Sequence, residues 1–543
     1  MPRSPLVARL IDAFRTASQL ETHHIPTREW AERKEESLAR RSLTRREALG
    51  VGLTGALVAC SPETRRVVSA PRPSATAPRV VIVGAGLAGL TAAWRLAQAG
   101  LRPKVYDANG RVGGRAFTQR DHFPVKCELG GELVDTSHTA LQGLVRELGL
   151  NLVDARAAAS QFERERYVLN NQHLTEQAVV DMFRPVAEVV RRDHAILTTA
   201  RVVNWRHHTP AVEALDGLSL GGWFDRNGVS GSIRSLLEVA FTSELGRDVG
   251  EVAAITFLYT ICKDVSPFAL YGPSDERFTI REGSDAVART LAARLGGAIS
   301  LGHQLVAVRA RDDGAVTAVF EVASSTLEVT ADRVILALPF TQLRRCELGF
   351  EMSPAKRRSI RELPYGTNTK VMISTQDRPW NAAGSSGTSF NDGGVYHESW
   401  ESTRGYEGHT AVMTAFSGGR LGVTLGDSNP EAQGRRFAEA LDTVYPGTVN
   451  AFTGRAARMH WPSARYFEGS YSCYGPGDWT TIAGVEGDAA GPVHFAGEHT
   501  SAESQGFMNG AVESGERAAR EVLAAMGASA RPALTSARGV LRG

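Results

Sequence analysis

The chain has 543 residues, 42% hydrophobic and 22% charged, enough for two or three domains with substantial cores and ordinary for a globular protein. Its 61 basic residues face 59 acidic ones, a net charge of +2, which leaves no excess charge for a polyanion-binding face, so no nucleic-acid partner is expected. Cysteines at 60, 127, 262, 346 and 473 form no CxxC pair, and His23–His24 and His207–His208 lack ligand spacing. Neither a disulfide framework nor a metal site is therefore expected.

Residues 1–60 read as an export leader. TRREAL at 44–49 opens an uncharged apolar run from Ala48 to Ala59, well short of the roughly 20 residues a membrane span needs. Arg45–Arg46 resembles a twin-arginine signal. Leu57-Val58-Ala59-Cys60 resembles a lipoprotein cleavage box, which implies a lipid anchor at Cys60 and an exported, periplasmic or membrane-anchored protein. Ala48 and Gly50 depart from the aromatic and lysine positions usual in such signals. Residues 61–78, rich in Pro, Ser and Arg, read as a linker.

Arg79–Val83 (RVVIV) is a β-branched run suited to a buried parallel strand. GAGLAG follows, then a helical stretch over Leu90–Ala99 and a second strand over Pro103–Asp107. In this arrangement Gly84 allows a tight turn, Gly86 lets the backbone approach a pyrophosphate, and Gly89 lets helix and strand pack closely. The helix N-terminus stabilises phosphate charge, and Asp107 is placed to accept from a ribose diol. Strand, turn, helix, strand and acid in register predict a dinucleotide site.

Gly110–Arg115 (GRVGGR) follows directly and resembles the second FAD motif of the flavin amine oxidase superfamily. The resemblance continues to about Leu523 and implies FAD rather than NAD. It assigns Arg111 and Arg115 to ribose and phosphate, and places Gly113, Gly114, Gly130 and Gly131 close to the flavin. Leu305, in an apolar pattern with Leu301 and Val308, fits a strand whose backbone meets adenine, and VILALP at 334–339 looks like the strand that closes the smaller sheet. FAGEHT at 495–500 and GFMNGA at 506–511 resemble the segment under the flavin ring. There Gly497 and Glu498 meet the ribityl chain, and the helix from Met508 points its N-terminus at the pyrimidine carbonyl.

Three positions match the family's catalytic groups: Lys370, expected to hold a water near flavin N5, and Tyr471 and Phe507, the aromatic pair beside the substrate amine. Ser470 stands where a cysteine links FAD in mammalian-type monoamine oxidases, so the FAD is expected to be noncovalent. The implied reaction is oxidative deamination of an amine or polyamine by hydride transfer to N5, with O2 as acceptor and H2O2 as product. Glu132 and Asp135 follow the glycine pair where amino-acid oxidases usually carry an arginine, and are expected to bind a cationic substrate. An L-amino-acid oxidase acting on basic amino acids is the alternative. A desaturase would leave Lys370, Tyr471 and Phe507 unexplained, and a non-catalytic flavoprotein would have lost them.

The expected fold is α/β, with a Rossmann-like FAD-binding domain assembled from 79–149, 276–346 and 463–527. A discontinuous α+β substrate-binding domain takes 150–275 and 347–462. Residues 528–543 read as a disordered tail.

Overall fold

The computed structural model describes residues 78–163, 165–199, 202–262 and 274–527. The expected leader with Cys60, the expected linker up to residue 77 and the expected tail over 528–543 lie outside the described residues.

Five strands form a parallel sheet in the order Val493–Phe495, Arg333–Leu336, Val80–Val83, Lys104–Asp107, Ile299–Leu301. The central strand Val80–Val83 is apolar throughout because both its faces are covered. Val80 and Ile82 join a core with the helices Leu87–Gln98 and Met508–Ala525, while Val81 and Val83 join another beneath a smaller sheet. The two helices pack closely enough that a Cβ on Gly515 would lie 2.3 Å from the Ala88 carbonyl oxygen. The smaller sheet runs Ser325–Ala331, Val316–Val322, Gln304–Ala310, Glu347–Gly349.

Two expectations need correction. The apolar run at 334–339 does not close the smaller sheet: Arg333–Leu336 is an interior strand of the parallel sheet, between Val80–Val83 and Val493–Phe495. Val334 and Leu336 face one core and Ile335 the other, which is why no polar alternation appears. The Leu301, Leu305, Val308 pattern is not one strand. The chain turns at Gly302, with φ +73°, and passes from the parallel sheet into the smaller one.

A seven-stranded sheet takes Phe452–His460, Thr369–Thr375, Ala411–Ser417, Glu398–Glu401, Ser389–Asn391, Arg166–Leu169 and Gln172–Leu174 in that order. Beside it, helices including Glu176–Thr198, Leu220–Arg226 and Gly231–Leu245 share an apolar core in which Trp223, Phe224, Phe241 and Phe257 are buried. Polar side chains set the starts of several helices, as where Thr175 accepts from the Ala178 amide and Ser219 from Gly222. Such caps satisfy amides that otherwise have no intrahelical partner.

Candidate active site

One cavity runs from the C-terminal ends of the parallel strands to the face of the seven-stranded sheet. Its lining extends from Gly84, Gly86 and Asp107 at one end to Trp400, Phe416 and Phe507 at the other.

The glycine turn closes the first end. A Cβ on Gly84, whose φ is +107°, would lie 2.5 Å from the Ala337 oxygen, and one on Gly89 would lie 1.9 Å from the Gly84 oxygen. Backbone packing therefore excludes side chains at both. Gly86 is different: its φ is −77°, and the nearest protein atom to an added Cβ is Gly114 Cα at 3.8 Å. No protein atom and no torsion demands glycine there, so the space beside Gly86 is what a closely approaching ligand would use. Gly86 also begins the Leu87–Gln98 helix with no side-chain cap, and Phe507 does the same for Met508–Ala525. Both helix starts line the cavity, and first-turn amides have no partner within their own helix.

Around this turn the polar groups suit FAD. Asp107 accepts from the Ala85 amide at 2.6 Å through one oxygen and from Asn109 at 2.7 Å through the other. Burial raises its carboxyl above the usual range against the pull of these bonds, and each oxygen retains acceptor capacity for a ribose hydroxyl. Arg111 donates to the Gly114 carbonyl at 2.8 Å and lies 3.8 Å over the Phe117 ring. Burial lowers its pKa, and among the described residues it forms no ion pair, as expected for a guanidinium kept for a phosphate. Leu305 is buried along the cavity, its carbonyl accepting from the Cys346 thiol at 3.3 Å.

Glu498 ties three segments together. It accepts from Arg115 at 2.9 Å, from the Ser472 amide and hydroxyl at 3.2 and 3.0 Å, and from the Gly506 amide at 2.7 Å. Burial alone would raise this carboxyl, but Arg115 and the hydrogen bonds hold it below the usual range. Gly497 enters the segment at φ +131°, where a Cβ would also strike the His499 ring. A Cβ on Gly130 would lie 1.8 Å from the Arg115 oxygen, and one on Gly131 would meet the Met508 side chain. Gly113 and Gly114, at φ +106° and +61°, carry the GRVGGR loop past the turn.

At the other end Lys370 stands opposite Phe416, which stands opposite Glu398 on the next strand. Paired residues share a sheet face, so these side chains and Trp400, two residues from Glu398, lie on one side. The Lys370 ammonium donates to the Glu128 and Gly130 carbonyls at 3.1 and 2.9 Å and to Glu132 at 2.8 Å. The other Glu132 oxygen accepts from the Trp400 indole at 3.0 Å. Trp400 and Phe416 meet edge to face at 5.4 Å. Tyr471 and Phe507 line the same cavity; the Tyr471 hydroxyl donates to the Glu244 carbonyl at 2.7 Å, and the Phe507 ring lies 4.8 Å from His138.

The flavin containing amine oxidoreductase model matches residues 87–523. The chain belongs to this family. A flavin-containing amine oxidase of Danio rerio is 24% identical over 84% of this chain and 87% of its own. An L-amino acid dehydrogenase of Synechocystis is 25% identical over 82% of this chain and 94% of its own. Cyclohexylamine oxidase from Brevibacterium oxydans has the same fold, with a TM-score of 0.73 at 21% identity, over 83% of this chain and all of that one (100%).

For a member of the flavin amine oxidoreductase family, two expected substrate groups sit unexpectedly. Glu132 does not present an open carboxylate, because Lys370 and Trp400 occupy its oxygens. Asp135 is buried, one oxygen accepting from the Ser274 hydroxyl at 2.6 Å and the Glu276 amide at 2.7 Å. Its other oxygen faces the His138 ring at 3.4 Å. Burial pushes Asp135 up to about 7 and His138 down to about 4. Sequence reasoning also missed Asn368, Trp400, Phe416 and Glu276 as cavity residues. Glu276 stands two residues before the strand Phe278–Ile280 with no motif to mark it, and strand alternation alone could not separate Trp400 or Phe416 from ordinary core.

Two outcomes follow from this geometry. Gly89→Ala lowers the melting temperature with or without FAD, whereas Gly86→Ala leaves the cofactor-free melting temperature unchanged and weakens FAD retention; equal effects of the two would contradict the distinction. Lys370→Met strands Glu132 in the interior and lowers the unfolding free energy by about 3–5 kcal/mol. Adding Glu132→Gln restores part of it, and a single variant as stable as the parent would show that the pair does not hold the site.

Proposed function

We propose that the protein is a FAD-dependent oxidase that deaminates an amine, with oxygen as acceptor and hydrogen peroxide as product. The observation that carries this reading is the two-ended cavity: amides, Arg111 and Asp107 at the dinucleotide end, and aromatic rings with buried carboxyl groups at the other. FAD, when bound, supplies the hydride acceptor and passes the electron pair to oxygen.

The chain's own residues orient and exclude. The Tyr471 ring is fixed through its hydroxyl to the Ser243 and Glu244 carbonyls. With Phe507, Trp400 and Phe416 it gives an apolar, π-rich wall that favours an amine and keeps out water. Lys370 acts as a positioning residue, since its three protons are directed to Glu128, Gly130 and Glu132. The water it was expected to hold would have to take over one of these bonds. Asp135 is the carboxyl group at that end which titrates near neutrality, pushed up to about 7. It can balance a substrate ammonium or take up its proton before the C–H bond is broken.

An amine is favoured over an amino acid by where the arginines lie. Among the described residues the cavity is lined by Arg111, Arg115 and Arg345. Arg115 pairs with Glu498, and Arg345 pairs with Glu468 beside the Leu305 end. None of these stands among the aromatic residues to bind a carboxylate, and Arg404, which lines the adjoining cavity with Trp400, donates to the Ser386 carbonyl and the Thr388 hydroxyl. FAD is held noncovalently in this reading, because Ser470 donates to Asn368 at 2.6 Å and the buried Cys473 does not line the cavity.

The holoprotein is expected to form peroxide with members of a panel of amines and polyamines, more efficiently than with L-amino acids, and to release its flavin on denaturation. Peroxide from L-amino acids alone would replace the reading with the amino-acid one. No peroxide from any compound, with flavin bound, would end it.

A further inference from the structure

A second cavity adjoins the first and shares Glu132, Leu133, Trp400 and Glu276 with it. Most charges around it are already balanced. Glu132 pairs with Lys370 and Glu401 with Arg378 at 2.8 Å, and Asp275 accepts from the Thr136 amide and hydroxyl. Arg404 is anchored to the Ser386 carbonyl and the Thr388 hydroxyl.

Glu276 is the exception. It is 8% exposed, and among the described residues neither carboxylate oxygen has a hydrogen-bond partner. Its backbone amide is held by Asp135, so the side chain's place between the cavities is set by the chain and not by a salt bridge. Glu398, Asp135, Glu244 and Glu165 surround it and raise its pKa together with burial. An ionised carboxyl group buried among other acids, lining two cavities and without a hydrogen-bond partner among the described residues, is costly unless a cation completes it; without one, a proton does. Arg404 lines the same cavity and its charge is felt by Glu276, but it does not hydrogen-bond it, its own donors going to Ser386 and Thr388.

We propose that the second cavity receives the far ammonium of a diamine or polyamine, with the Glu276 carboxylate as its counter-charge. This rests on the amine-oxidase reading and adds the substrate's second charge to it. The amine to be oxidised lies among Tyr471, Phe507, Trp400 and Phe416, and the carbon chain passes the Trp400 indole, which lines both cavities. A monoamine of equal length fills the aromatic end but leaves Glu276 uncompensated.

The test compares 1,4-diaminobutane, spermidine and 1-aminobutane as substrates of the holoenzyme. The wild type is expected to favour the two polycations by at least about tenfold in kcat/KM, and Glu276→Gln to lower that ratio by at least about tenfold, the scale of a lost buried charge pair. A merely structural role would reduce all three substrates together and leave the ratio in place. Binding is followed separately: 1,4-diaminobutane raises the melting temperature of the wild type more than 1-aminobutane does, and this difference vanishes in Glu276→Gln. A wild type without preference in either measurement, or a preference that survives in Glu276→Gln, overturns the proposal. Peroxide from 1-aminobutane alone would defeat the second-charge proposal while leaving the oxidase reading intact, whereas peroxide from no amine would defeat the oxidase reading.

Discussion

Lys370 carries its ammonium out of the seven-stranded sheet and into the backbone of the loop after GRVGGR, where Glu128, Gly130 and Glu132 receive it. Both partners of the ion pair are buried, with side-chain exposures of 6% and 3%. Neither charge could stay there alone, because an unpaired ion in the interior costs several kcal/mol. The seven-stranded sheet and this loop must therefore seat together. Trp400 takes the remaining Glu132 oxygen, so the same contact also sets an aromatic wall.

A second tie works from the opposite side. Arg115 binds Glu498 and the Ser470 carbonyl, and Glu498 reaches the Ser472 and Gly506 amides. Tyr471 and Phe507 leave the chain next to these anchored positions, so their rings are placed by a polar network rather than by apolar packing alone. The cavity is polarised as a result. The start of the Leu87–Gln98 helix and Arg111 stand at the turn, while Asp135 and Glu276 lie at the far end. An anionic dinucleotide and a cationic substrate would each meet the sign that suits it.

Much of the cofactor end was legible in the sequence because its constraints are local. Gly84 and Gly89 are demanded by backbone contacts within one strand-turn-helix unit, and Asp107 ends the neighbouring strand. The substrate end was less legible because its partners are far apart in the chain. Nothing near Glu132 announces that a lysine 238 positions away will neutralise it. Read alone, Glu132 and Asp135 looked like a pair of cation-binding acids. In the fold, one is consumed by Lys370 and the other is half-satisfied by Ser274, while Glu276 keeps both oxygens without hydrogen-bond partners among the described residues. The misplaced strands have a similar cause, since an apolar run such as 334–339 states burial on both faces but not which sheet it joins.

The central claim is that an amine delivers its electrons to a flavin held by this chain. Its most direct measurement is the absorbance of the holoprotein mixed with an excess of 1,4-diaminobutane in the absence of oxygen. The account predicts that the oxidised-flavin bands bleach at a rate that saturates with amine, and that they return on admitting air with formation of peroxide. Flavin that stays oxidised with every amine yet bleaches with an L-amino acid or a reduced nicotinamide would contradict it.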